Sequence, residues 1–88
     1  MKKLSELEIN RIRKNPHNRY WRLLCFERTL SEDFIREFQD YVYWKYISSK
    51  QKLSMFFIAE FKNKICFQNL LENKNIPPDI KDYCRMFI

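Results

Sequence analysis

Leu30-Ser31-Glu32-Asp33-Phe34-Ile35-Arg36-Glu37-Phe38 returns as Leu53-Ser54-Met55-Phe56-Phe57-Ile58-Ala59-Glu60-Phe61, at an offset of 23 residues and with six of the nine positions identical. The register runs on outside the stretch. Val42 falls on Ile65, Trp44 on Phe67, Ile47 on Leu70, Tyr20-Trp21 on Tyr43-Trp44, and Leu53 on Ile76. A fixed period in the twenties marks stacked supersecondary units, because one such unit cannot bury its apolar face alone. The fold class expected is all-α: a small helical-repeat array, or a bundle of stacked helix pairs.

Each copy opens on a helix-start signal. Ser31 suits an N-cap, Glu32 and Asp33 oppose the helix dipole, and Leu30 is placed to staple onto Ile35. Phe34, Ile35, Phe38, Tyr41 and Val42 then follow at the spacing of one helical face. At about 100° per residue, Trp44 and Ile47 fall off that face, so a break is expected near Val42 and Tyr43, with a short second helix after it. The alternative is one helix from Ser31 to about Lys50. The second copy repeats the plan with Ser54, Phe57, Ile58, Phe61 and Ile65, then Phe67, Leu70 and Leu71. Met55, Phe56 and Ala59 replace Glu32, Asp33 and Arg36 there. Such a change fits a unit covered on both sides, or an exposed apolar interface at Met55 and Phe56.

Before the repeat, residues 3–14 read as a helix with Leu4, Leu7, Ile9 and Ile12 on a loose stripe, and residues 19–28 as a second helix. The loop Asn15-Pro16-His17-Asn18 separates them, since the residue before proline is biased out of the α region. After it, Ile76-Pro77-Pro78-Asp79 starts a last helix carrying Ile80, Tyr83, Cys84, Phe87 and Ile88 on one face. The expected organisation is one domain over 1–88: a basic helix pair (1–29), two repeats (30–52 and 53–75) and a truncated capping repeat (76–88).

A chain of 88 residues buries only about 60% of its unfolded surface, so eight Phe, five Tyr and two Trp supply the density of the core. Glycine is absent. Dinucleotide fingerprints, phosphate loops and nucleophile elbows all need glycine, which excludes the enzyme classes built on them. Cys25, Cys66 and Cys84 are odd in number and widely spaced, a pattern suited to a reducing compartment. The longest apolar run, Met55 to Ala59, is far short of the roughly 20 residues that span a bilayer. No membrane association is expected, and the cytoplasm is the expected location.

Little points to catalysis or to a cofactor. His17 is the single histidine and has no closely spaced cysteine pair to join in a zinc site. Ser31 and Ser54 read as helix caps, not nucleophiles, and no catalytic, cofactor or metal residue is assigned. Charge is more informative. Residues 1–28 hold eight Lys or Arg against three Glu, and residues 29–88 hold nine against eight Asp or Glu. The excess therefore sits at one end, where Arg11, Arg13, Lys14, Arg19 and Arg22 interleave with Tyr20 and Trp21. Such a stretch can be a solvated basic end, a site for an acidic protein surface, or a site that pairs phosphates and stacks bases.

The phrase Leu30 to Phe38, followed by Val42-x-Trp44-x-Tyr46-Ile47-Ser48, resembles a short, about 23-residue, all-helical repeat found in proteins of large DNA viruses and bacteriophages. The likeness is close over 30–51, partial over 53–71, and departs from the repeat at Tyr43, where Asn or Asp usually precedes the tryptophan. It implies a viral or mobile-element origin and a helical array, and it brings no catalytic residues. In that company small proteins often inhibit host defence, anti-CRISPR proteins among them. The expected function is a non-enzymatic protein-binding module, a phage-encoded inhibitor of a host protein. Arg11, Arg13, Lys14, Arg19 and Arg22 would supply charge, and Tyr43 and Tyr46 contact area. A small nucleic-acid-binding protein and a self-associating structural protein are the alternatives.

Overall fold

The computed structural model describes residues 1–17 and 20–87. Helices dominate, joined by one short strand pair: β1 (Lys2–Lys3), α1 (Glu6–Lys14), α2 (Trp21–Glu27), β2 (Arg28–Thr29), α3 (Glu32–Glu37), α4 (Trp44–Lys50), α5 (Met55–Glu60), α6 (Phe67–Leu71), α7 (Pro78–Cys84) and a 3-10 turn at Arg85–Phe87. By its contacts the chain divides into two compact units, Met1–Tyr43 and Trp44–Ile88. The division falls between the two helices of the first repeat copy.

Two serines start the repeat helices in the same way. The Ser31 hydroxyl accepts from the Phe34 N–H with φ −72° and ψ 157°, and Ser54 accepts from Phe57 with φ −79° and ψ 160°. Both helices end early. Phe38 leaves α3 at φ −111°, ψ 30°, and its carbonyl accepts from the Tyr41 and Val42 N–H groups at 2.9 and 3.1 Å. Phe61 repeats this at φ −110°, ψ 27°, accepting from Lys64 and Ile65 at 2.8 and 2.9 Å. A turn closed on one carbonyl thus makes the break without glycine or proline, about four residues before the expected place, and the two helices of each copy are separate. Tyr41 and Val42 reach the interior from this turn rather than from a helix face.

In the first unit Trp21 is the hub. Its ring lies 6.0 Å from Phe34, 5.3 Å from Phe38 and 5.7 Å from Tyr41, and Phe34 and Phe38 are 4.8 Å apart. The indole N–H donates to the Pro16 carbonyl at 2.8 Å. Each ring, burying roughly 150–250 Å² at about 25 cal/mol per Å², contributes on the order of 4–6 kcal/mol as an upper bound. Ile12, Cys25, Leu30, Ile35 and Val42 complete this core.

The second unit repeats the triad: Trp44 lies 6.3 Å from Phe57 and 5.2 Å from Phe61, which are 4.6 Å apart. The residue 20 positions after each hub ring covers it. Tyr41 stacks on Trp21, the Lys64 ammonium stands 5.9 Å over Trp44, and Phe87 stacks on Phe67 at 4.9 Å. A buried polar knot joins the same unit. Ser48 Oγ donates to the Trp44 carbonyl and accepts from the Cys66 N–H, while Asn73 Nδ2 donates to the Ser48 and Gln51 carbonyls, both at 2.8 Å. Phe87 docks on Phe67 and Tyr83 yet keeps 40% of its surface exposed; Ile88 lies outside the described residues.

The N-terminal helix departs from the expected span. Ser5, at φ −78° and ψ 162°, forms a full capping box with Glu8, so α1 starts at Glu6 and not near Lys3. The residues before it pair in parallel as a strand, Lys2 opposite Arg28 and Lys3 opposite Thr29.

Candidate protein-binding site

The first unit holds most of the predicted charge site. Cations fill the last turn of α1, where they complement the dipole. Arg13 is committed: its guanidinium grips both Glu37 oxygens at 2.6 and 3.0 Å and also meets Asn10 Oδ1, tying α1 to α3. This contact holds the Glu37 carboxyl below its ordinary value and raises Arg13. Arg11, Lys14 and Arg22 are exposed, and Arg19 falls outside the described residues. Trp21, buried to 6% exposure, is core and cannot stack on a base, whereas Tyr20 beside it is 83% exposed.

Between α1 and α2 runs an open groove of about 370 Å³, lined by apolar Leu4, Ile12, Leu23 and Leu24, by Tyr20, and by the charged Glu8, Arg11, Glu27 and Arg28. A volume of this size is at the lower end of ligand pockets. Arg28 ties the lining together. The guanidinium donates to both Glu8 oxygens at 2.8 and 2.9 Å and to the Lys2 and Lys3 carbonyls, binding β1 to the groove. Arg28 and the Ser5 N–H lower the Glu8 carboxyl from 4.5 to about 2, so it stays ionised at any ordinary pH. Comparison with family models, curated proteins and solved structures finds no match.

Sequence reasoning overlooked this groove because it missed a further copy of the repeat start. Leu4-Ser5-Glu6-x-x-Ile9 answers Leu30-Ser31-Glu32-x-x-Ile35 at an offset of 26, and the β1–β2 pairing keeps the same offset. The three additional residues lie in α1, which has nine residues against six in α3. A search at a single period of 23 passes over it.

The remaining candidates are placed elsewhere. Tyr43 belongs to the first unit, is 48% exposed and donates its N–H to the Cys25 sulfur; Tyr46 belongs to the second unit and is half-buried. Phe56 is 87% exposed and Met55 40%, so α5 presents an apolar face to solvent and is not covered as the middle unit of a stack would be. Ser31 and Ser54 are caps, their hydroxyls accepting from backbone N–H groups. Cys25 and Cys84 are buried, which raises both thiols; Cys66 donates to Asn69 Oδ1. His17 meets the Tyr41 ring edge-on at 5.3 Å. Among the described residues no group of three or more His, Cys, Asp or Glu could hold a metal, and no helix is long and apolar enough to cross a membrane.

Proposed function

We propose that this chain is a non-enzymatic protein-binding module, a small helical-repeat array whose basic N-terminal helix pair, residues 1–29, docks on an acidic surface of a partner protein. The observation that carries the reading is the α1–α2 groove, which exposed Tyr20 and Leu23 line together with Arg11 and Arg28, with exposed Arg22 next to Leu23 in the chain. Apolar area beside cations suits a protein interface, in which aromatic and arginine side chains are enriched. The repeat-array reading is supported by the equal caps and equal ring triads of the two copies. In the viral or phage setting that the repeat resemblance implies, the partner is a host protein of defence or nucleic-acid handling, and the chain acts as its inhibitor in the host cytoplasm.

The test is a titration of the full chain with polyglutamate, duplex DNA and single-stranded RNA between roughly 50 and 200 mM salt, a range over which phosphate contacts lose affinity by orders of magnitude. Binding to polyglutamate that is lost in a Lys14→Glu, Arg22→Glu variant supports the reading. Preferential binding to nucleic acid with a steep salt slope overturns it in favour of a nucleic-acid protein. A second reading, self-association, is favoured by the bare Phe56 ring on α5. Sedimentation at rising concentration tests it: a Phe56→Ser variant would abolish any dimer.

A further inference from the structure

The groove has a counterpart inside the chain. Counting from each N-cap serine, α3 carries Phe34 and Phe38 at the third and seventh positions, and α5 carries Phe57 and Phe61. In both helices that pair receives the tryptophan of the helix before it: Trp21 of α2 on α3, and Trp44 of α4 on α5. In α1 the same two positions are Glu8 and Ile12, and both line the groove. Leu4, which precedes the cap as Leu30 and Leu53 do, lines it as well.

We infer that the groove is the seat of an aromatic ring carried on an acidic amphipathic helix of the partner, which docks on α1 as α2 docks on α3. This deepens the reading of the chain as a protein-binding module and rests on it. Three features shape the occupant. Ile12, Leu4 and Leu24 give the ring an apolar floor. Arg28, pinned by Glu8 and the strand carbonyls, holds a guanidinium at the groove where an aromatic face can meet it, an attraction that grows as water is excluded. The charges lining the groove balance, Glu8 and Glu27 against Arg11 and Arg28, while the exposed charged residues beside the lining in sequence, Lys2, Lys3 and Arg22 against Glu6, leave an excess of cations. Carboxylates on the occupant's flanks therefore complement the surround. The replacement of phenylalanine by Glu8 makes this seat more polar than its internal counterparts, which suits an interface that must stay soluble when open.

The probe is a 16-residue Ala- and Glu-rich helical peptide with one central Trp, titrated into the full chain and followed by backbone amide NMR. Two control peptides replace Trp by Ala, or every Glu by Lys. The expected result is saturable shifts at Leu4, Glu8, Ile12 and Leu24, at least tenfold weaker for either control and for a Leu23→Glu chain whose melting curve is unchanged. Leu23 is half-exposed, so this variant is expected to fold. Equal binding of the Trp and Ala peptides overturns the ring seat while leaving the basic-surface reading intact. Failure of all peptides together with polyglutamate overturns both. Shifts confined to Met55–Ala59 place the site on the second unit instead. Were the same groove amides to move on self-concentration or with a DNA oligonucleotide, and not with the peptide, the occupant would be a second copy or a nucleic acid, and the inference would fall.

Discussion

Replacing Trp21 by alanine should cost more than replacing Trp44, although the two rings make the same pair of phenylalanine contacts. Truncating a buried tryptophan costs about 3–5 kcal/mol. Trp21 is buried where Trp44 is only half-buried, and it holds the indole N–H bond to Pro16, a net contribution of about 1 kcal/mol, and the stack on Tyr41, worth about 0.5–1.5 kcal/mol. Trp44 carries the Lys64 ammonium over its ring, about 0.5–1 kcal/mol at an exposed site. The difference is then about 1 kcal/mol, on a total stability of roughly 4–13 kcal/mol for a chain of this length. With ~4–8 °C of melting temperature per kcal/mol, Trp21→Ala should fall by roughly 15–30 °C and Trp44→Ala by roughly 5 °C less. Trp21→Phe, which keeps a ring and loses the donor, should cost about 1 kcal/mol. Urea and thermal melts read by far-ultraviolet circular dichroism give all three values, and the tryptophan that remains reports fluorescence from its own unit. If Trp44→Ala proved as damaging as Trp21→Ala, the Pro16 and Tyr41 contacts would contribute nothing, and if Trp21→Phe proved as damaging as Trp21→Ala, ring packing would not be what Trp21 supplies.

Other outcomes follow from single contacts. Asn73→Ala should destabilise by about 2–4 kcal/mol in a urea titration, because two buried hydrogen bonds, from the Asn73 amide to the Ser48 and Gln51 carbonyls, are lost. The carboxyls of Glu8 and Glu37 are held low in the folded chain, so their contribution is complete above the unfolded value of 4.5 and disappears as pH falls, for Glu8 through about 2. A Glu8→Gln, Glu37→Gln chain should therefore show a flatter melting temperature between pH 5 and pH 2 than the parent; parallel curves would argue against both ion pairs. Phe87→Ala should lower the melting temperature by a few degrees, since half-exposed Phe87 stacks on Phe67; an unchanged value would mean that the last turn is not docked.

The repeat was legible because helix starts and aromatic spacing are local and strong. Ser31 and Ser54 cap, and the Phe34–Phe38 and Phe57–Phe61 pairs stand where their spacing puts them. The early end of α3 was not legible: Tyr41 and Val42 sit at helical spacing from Phe34, and only the Phe38 carbonyl, accepting twice, shows that a turn delivers them. The site was legible as a charge excess and not as a shape. Nothing in a residue count tells that Arg13 is spent on Glu37 or Arg28 on Glu8, since both partners are more than 15 residues away in the chain. The groove stayed hidden because three residues added inside α1 shift its register by close to one helical turn.

Among the described residues no backbone takes a positive φ, and the sequence has no glycine. Every described turn is thus made at negative φ, on the side of the map open to any L-amino acid. The denatured chain has correspondingly less freedom to lose on folding, which helps a core as small as this one. The same property frees the connecting segments from any demand on residue type, so a 23-residue cassette can be copied, shifted or lengthened and its turns still close. Inheritance by duplication, followed by drift outside the caps, the rings and the Leu, Ile and Glu that both copies keep, is the history that such a backbone permits.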